Sequence, residues 1–307
     1  MHSIHSVMIT GANAGIGRET ARQLALQLEI TEIYLACRNP AKAAAAKSAL
    51  IAETGRDIFE VVILDLADQA SIASAVASLG APIDALVLNA GGLGGATTAS
   101  ENASGVSQMF NTNLLGHTVL VEQLLERQLI TSTILLAGSE AAHGIPKLGV
   151  AKPQMDSYSV EDFAGIASGR KFDSKTDEMT VYGAVKLTGA VWMGAMARRY
   201  PHLRFVTMSP GSTVGTNGLD HLPFVTRVLS KYVFGSLMPL FGMMHRVDDA
   251  ARRFVDGVMN PRFDSGHFYA SAAGAPTGPV IDQAEIEPNL SNPIYQDNAY
   301  AAIQRFV

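Results

Sequence analysis

A single cysteine, Cys37, occurs in the 307 residues, which excludes an intramolecular disulfide framework and any metal site built from several cysteines. Such a chain suits a reducing compartment, and the cytoplasm is the expected location. Positive charge is in short supply as well. Lys and Arg number 23 against 28 Asp and Glu, so no electrostatic footprint for nucleic acid or an anionic membrane is expected. A small-molecule partner fits this balance better. Long apolar runs are missing: the most apolar late stretch, 221–245, is interrupted by Pro223, Arg227, Lys231 and Pro239, short of the roughly 20 residues of a membrane span. Residues 1–6 lack the charged start and apolar stretch of a secretion signal. The eight histidines are scattered, with no His-x-x-x-His or His-Glu-x-x-His pattern on a predicted helix, so no metal site is expected.

What the chain has instead is alternation. Short apolar runs at 7–10, 33–36, 61–64, 85–88, 134–137 and 205–208 are separated by amphipathic stretches at 18–28, 41–53, 72–79, 106–127 and 181–200. This strand and helix rhythm predicts an α/β fold, a Rossmann-type doubly wound parallel sheet covered on both faces, in a single domain over 1–307. A last pair, a helix over 248–259 and a strand over 267–270, is expected to add one helix and the edge strand. Two segments break the rhythm. The insert at 143–180, rich in Ser, Asp, Lys and Gly, is expected to fold in part over or beside the site. The segment 211–246 follows the last core parallel strand, at the edge where open α/β sheets bind ligands, and is the candidate substrate lid. Its Met and Phe residues at 234–244 also suit plain core.

The run Thr10-Gly11-Ala12-Asn13-Ala14-Gly15-Ile16-Gly17 sits between the first predicted strand and the first helix. Glycines there permit a tight turn and let backbone N–H groups at a helix N-terminus approach a pyrophosphate. Gly11, Asn13, Ala14, Gly15, Ile16 and Gly17 are the candidate cradle. About 20 residues further on, where an acidic side chain would grip an unphosphorylated ribose, the chain has Cys37 followed by Arg38 and Asn39. A guanidinium in place of a carboxylate favours the 2′-phosphate of NADP(H) over NAD; an Arg38 that merely faces solvent is the alternative. Asp65 and Leu66, after the third strand, are placed to meet the adenine end, although Asp65 also suits an ordinary helix cap.

Tyr182 and Lys186 lie one turn apart on a predicted helix and therefore share a face. A nearby ammonium is expected to stabilise the phenolate and lower the tyrosine pKa, making Tyr182 a general acid or base. Ser139 ends the fifth strand, where its hydroxyl can polarise a carbonyl; alone, such a serine also reads as a cap. Glu140 follows it and is read as shaping polarity near the substrate. His117, one turn after Asn113, is read as packing or hydrogen bonding.

In order and context, Thr10 to Gly17, Asn89-Ala90-Gly91, Asn113, Ser139, Tyr182-x-x-x-Lys186 and Pro210-Gly211 resemble the short-chain dehydrogenase/reductase family over most of the chain. The resemblance implies that Tyr182 exchanges the proton, Ser139 holds the substrate oxygen, and Lys186 binds the nicotinamide ribose while tuning Tyr182. It implies that Asn113 holds a water in the proton relay, and that Asn89, Ala90 and Gly91 support the central strand and line the adenosine pocket. It also implies that Pro210, Gly211 and a following threonine meet the nicotinamide; Thr213 and Thr216 both compete for that place, with Thr216 preferred. Ala36-Cys37-Arg38-Asn39, Asn113-Leu114-Leu115-Gly116-His117 and Ala141-Ala142-His143 look like the retinol dehydrogenase and protochlorophyllide reductase branch. That likeness implies NADP(H), a lipophilic small-molecule substrate, and a chain that is either monomeric or a homo-oligomer. Interconversion of a carbonyl and an alcohol is the expected reaction. Reduction of a carbon–carbon double bond and a non-catalytic NADP(H)-binding regulator are the alternatives.

Overall fold

The computed structural model describes residues 3–93, 105–173, 175–213, 244–272 and 275–307. Eight strands form one sheet: β1 (Ser6–Thr10), β2 (Glu32–Cys37), β3 (Phe59–Ile63), β4 (Ile83–Leu88), β5 (Ile130–Ala137), β6 (Arg204–Met208), β7 (Phe268–Ser271) and β8 (Val280–Asp282). Their spatial order is β3-β2-β1-β4-β5-β6-β7-β8, and every pairing is parallel except the last. The chain crosses over after β3, so the strand order reverses between β1 and β4. That reversal opens a crevice at the strand C-terminal ends.

Both faces of the sheet are covered, which explains why its strands read as near-continuous apolar runs. On one face, Val7 and Ile9 of β1 and Ala85 and Val87 of β4 pack with Leu24, Leu50 and Phe254. These come from α1 (Gly15–Ala25), α2 (Pro40–Thr54) and α7 (Val247–Met259). On the other face, Met8, Leu86 and Leu88 pack with Ile72, Leu120, Phe163, Trp192 and Ala302. Those belong to α3 (Gln69–Ala77), α4 (Gly116–Glu126), α5 (Val160–Ala167), α6 (Glu178–Arg199) and α8 (Pro293–Ile303). Helix α6 is buried from Gly183 to Met196 without a break, as expected of a helix enclosed on several sides. The sheet and the flanking α5 and α8 enclose it.

The structure departs from the sequence reading at several elements. The predicted edge strand at 267–270 is not an edge, because β8 pairs antiparallel with it. The 143–180 insert contains α5, capped by Ser159 accepting from the Asp162 N–H at 3.2 Å. The expected long helix over 106–127 runs unbroken from Gln108 to Glu126 but contains a π-helical turn at Asn111–Leu115 ahead of α4. Most of the expected lid, 214–243, lies outside the described residues, as does Thr216. Among the described residues no helix is long and apolar enough to cross a membrane.

Strands β1 and β4, the walls of the crevice, are tied at both ends. At the N-terminal end Asp84 Oδ2 accepts from the His5 N–H at 2.9 Å, the Ser6 N–H at 3.0 Å and the Ser6 hydroxyl at 3.1 Å. At the C-terminal end Thr10 Oγ1 accepts from the backbone N–H groups of Asn89 and Ala90, both at 2.9 Å.

Candidate active site

Strand β1 delivers the chain into a tight turn, where the Gly11 N–H donates to Ala36 O at 2.8 Å. Gly11 and Gly15 have φ of 69° and 55°, conformations that glycine adopts without strain. A Cβ on Gly17 would stand 2.4 Å from Asn89 Nδ2 and 2.7 Å from Gly11 O, so only glycine lets α1 start this close to the turn after β4. Asn89 Nδ2 itself donates to Thr10 O at 2.8 Å.

The start of α1 differs from those of its neighbours. Helices α2, α3, α5, α6 and α8 are capped by the side chains of Asn39, Asp68, Ser159, Asp177 and Asn292, and α7 carries Asp248 and Asp249 in its first turn. Helix α1 begins after Ala14, with no side-chain cap and no acidic residue in its first turn. Its leading N–H groups and positive dipole end are left for an anion. With the glycine turn beside it, this cradle fits the pyrophosphate of a dinucleotide.

At the end of β2, Cys37 is buried, and burial pushes its thiol up to about 11 against the opposing Ala12 and Asn13 N–H groups. Arg38 and Asn39 are exposed. Asn39 is occupied in accepting from the Lys42 N–H at 2.9 Å; Arg38 has no ion pair among the described residues. Asp65 Oδ1 accepts from the Ala67 N–H at 3.0 Å, a local turn contact. Leu66 is buried, and its carbonyl lies where a Cβ on Gly116 would fall, at 2.1 Å.

The acid–base group is carried by α6. Asp177 caps the helix by accepting from the Met179 and Thr180 N–H groups at 3.0 and 3.2 Å, which fixes the first turns bearing Tyr182 and Lys186. Gly183 lets α6 approach the turn after Ser139, since a Cβ there would come within 2.4 Å of Ala141 O. Ser139 Oγ accepts from the Ala141 N–H at 3.2 Å, and its side chain is near enough to the Tyr182 hydroxyl to influence its ionisation. Lys186, only 5% exposed, donates to Ala137 O at 2.9 Å, with Nζ 5.3 Å from the centroid of the Tyr182 ring.

Burial governs both ionisations. It pushes the Tyr182 hydroxyl above its ordinary range; the Ser139 hydroxyl opposes the rise and the Glu140 charge adds to it. Burial also lowers Lys186 to about 8. The expected lowering of the tyrosine pKa by the lysine is not seen: desolvation sets the direction, and the ammonium is held by the Ala137 carbonyl.

Asn113 clamps the turn after β4. Its Nδ2 donates to Gly92 O and Met109 O, both at 2.9 Å, and its Oδ1 accepts from the Gly92 N–H at 2.9 Å. A Cβ on Gly91 would collide with that Oδ1 at 2.4 Å. The backbone carbonyl of Asn113 is 3.3 Å from His117 Nδ1, and His117 Nε2 is 3.0 Å from Thr10 Oγ1. His117 thus hydrogen-bonds as expected, and it links α4 to the end of β1.

After β6, the Gly211 N–H donates to Ser209 Oγ at 3.1 Å, and the Thr213 hydroxyl donates to Gly211 O at 2.8 Å. Pro210 and Gly211 thus sit in a folded turn at the same sheet edge. Glu140 acts on the Tyr182 hydroxyl through its charge, but its side chain is turned away from the crevice. It turns into the interior toward Ser209, Ser271 and Arg253, groups far away in sequence that no local pattern connects.

Residues 5–147 match the family described as short chain dehydrogenase. Retinol dehydrogenase 12 of Homo sapiens is 36% identical over 162 residues, 52% of this chain and 50% of that protein. The chloroplastic protochlorophyllide reductase of Cucumis sativus is 29% identical over 290 residues, 87% of this chain and 69% of that protein. The solved structure of L-sorbose reductase from Gluconobacter frateurii, complexed with NADPH and L-sorbose, matches with a TM-score of 0.62 at 18% identity. That match covers 90% of this chain and 98% of that one, and is a likeness of fold. The chain spans about half the length of several relatives it matches, 44% in one and 50% in retinol dehydrogenase 12. Sheet order and glycine turn define a Rossmann-type fold. Over residues 5–147 the chain is similar to the short-chain dehydrogenase/reductase family, and its relatives include both members of the branch that the sequence resembles.

Proposed function

We propose that this protein is an NADP(H)-dependent reductase that interconverts a carbonyl and an alcohol on a lipophilic small molecule, with Tyr182 as the acid and base. The observation that carries this reading is the grouping of Tyr182 and Ser139 with buried Lys186, whose Nζ lies 5.3 Å from the Tyr182 ring centroid, on the sheet edge that also bears the uncapped start of α1. Gly11, Asn13 to Gly17 and the α1 N-terminus would hold the pyrophosphate, with Asn89 to Gly91 lining the adenosine side. Arg38, exposed where a ribose-binding carboxylate would repel a phosphate, supports NADP(H). Asp65 and Leu66 would close the adenine end. Pro210, Gly211 and Thr213 would flank the nicotinamide; Thr216 competes for that role from outside the described residues.

Bound NADPH supplies a hydride to the carbonyl carbon. The chain's own groups handle the oxygen. Ser139 and Tyr182 present two hydroxyls to it, polarising the bond as negative charge grows. Burial keeps Tyr182 protonated at neutral pH, the form needed to deliver a proton to that oxygen. Lys186, one turn away, stabilises the phenolate left behind. In the alcohol-oxidising direction the phenolate takes the proton back.

The test follows NADPH oxidation across lipophilic aldehydes, ketones and enones, with NADH and Tyr182→Phe in parallel. Loss of the acid is expected to lower turnover by about 10²–10⁴-fold while NADPH still binds; near-normal rates in the variant would remove Tyr182 from the mechanism. Equal use of NADH would remove the role given to Arg38. Products from enones decide the second reading, which the protochlorophyllide reductase match over 87% of this chain favours. Saturated ketones would mark carbon–carbon reduction, and allylic alcohols carbonyl reduction.

A further inference from the structure

Glu140 and Arg253 form an ion pair with Nη1 to Oε1 at 3.4 Å, and the two residues are 2% and 8% exposed. Removing two charges from water is unfavourable enough that apolar residues of equal volume often give an equally stable core. The contacts of the pair indicate a different use. Glu140 accepts from the Ser209 hydroxyl, from the Ser271 N–H at 3.2 Å and from the Ser271 hydroxyl at 3.0 Å. Arg253 donates to Ser209 O at 3.1 Å, Ser271 Oγ at 3.0 Å and Gly278 O at 2.7 Å. Its Nη2 also lies 2.9 Å from His245 Nε2. The pair therefore joins the ends of β5, β6 and β7.

One branch of this network leads directly into the site. The Gly211 N–H donates to Ser209 Oγ, whose own hydrogen goes to Glu140. The His245 N–H donates to Ser212 O at 2.6 Å, and the His245 ring fills the space a Cβ on Gly211 would need. Both sides of the 209–213 turn are thus held by groups bonded to the ion pair. Glu140 is the residue after Ser139, so the same carboxylate fixes the Ser139 turn.

We infer that Glu140 and Arg253 are positioning residues, whose ion pair sets the 209–213 turn against Ser139 and so places the nicotinamide end of the cofactor but not its adenosine end. The inference rests on the oxidoreductase reading. It is tested by titrating the full chain with NADPH and, separately, with adenosine 2′,5′-bisphosphate, which lacks the nicotinamide half. Glu140→Gln is expected to weaken NADPH by about tenfold or more, the scale of a lost buried charge-assisted hydrogen bond, and to leave the bisphosphate unchanged. An unpaired Arg253 can unfold the chain. Ser209→Ala is therefore measured too, because it cuts the link to Gly211 and keeps the ion pair; a smaller loss confined to NADPH is expected. Unchanged NADPH affinity in both variants, or parallel weakening of both ligands, overturns the inference. Wild-type protein that binds neither ligand overturns the oxidoreductase reading itself, and the inference with it.

Discussion

At the scale of single residues, the site is held against its own solvation. Lys186 drops from an ordinary 10.5 to about 8 because it is buried, and holding that charge out of water costs roughly 3 kcal/mol at neutral pH. The hydrogen bond to Ala137 O returns about 1 kcal/mol. The unfolded chain keeps this proton up to 10.5 and the folded one only to about 8. The penalty therefore stands in full below pH 8 and fades as the pH rises toward 10.5. Lys186→Met is expected to raise the Tm by a few degrees at pH 7 while abolishing turnover, with the gap to wild type narrowing by pH 9.5. A Tm series over that range checks it, and a variant less stable than wild type at pH 7 would show that the carbonyl contact outweighs desolvation.

At the scale of elements, glycines decide how closely turns meet helices. Gly17→Ala would set a methyl 2.4 Å from Asn89 Nδ2 and 2.7 Å from Gly11 O, and the backbone oxygen cannot move aside as a flexible side chain can. The variant is expected to lose about tenfold or more in NADPH affinity with the placement of Tyr182 and Lys186 on α6 intact. Unchanged affinity in a direct titration would take the cradle out of the cofactor site. The same scale shows what was readable beforehand. Strands β1 to β7 all contain the predicted apolar runs, apart from end residues at His267 and Leu64, because covering both faces makes such strands nearly continuous in sequence. Strand β8 has three residues after Gly278-Pro279, too few to show a period. Helix α8 opens with Asn292 as cap and Pro293 in its first turn, a start signal that carried no apolar run long enough to be noticed. The π turn at Asn111–Leu115 leaves no mark in the apolar pattern; Asn113 there meets Gly92, a contact across 21 positions. Tyr182, Lys186 and Ser139 were legible from spacing and strand position, whereas the Glu140 to Arg253 contact, 113 positions apart, exists only in three dimensions.

At the scale of the whole molecule, His117 ties elements together at a cost that depends on pH. It is fully buried, and burial, reinforced by the Lys186 charge, lowers it from 6.5 to about 3. The unfolded chain takes up this proton near 6.5 and the folded chain only near 3. Stability is therefore whole above pH 6.5 and is lost as the pH falls through that window. Between pH 7 and 4 this one residue is expected to remove roughly 3 kcal/mol, a large part of a domain's margin. His117→Gln is expected to flatten the fall in urea midpoint over that range; an unchanged slope would assign the acid sensitivity to the carboxylates.

The ties between β1 and β4 bear on how a cofactor is received. Asp84 locks one end of these neighbouring strands and Thr10 the other, so the width of the slot is set before anything enters it. A dinucleotide arriving there gives up its own internal freedom, while the slot walls have little left to lose. For a dinucleotide bound as proposed, the host would act as a fixed gauge to which the guest conforms.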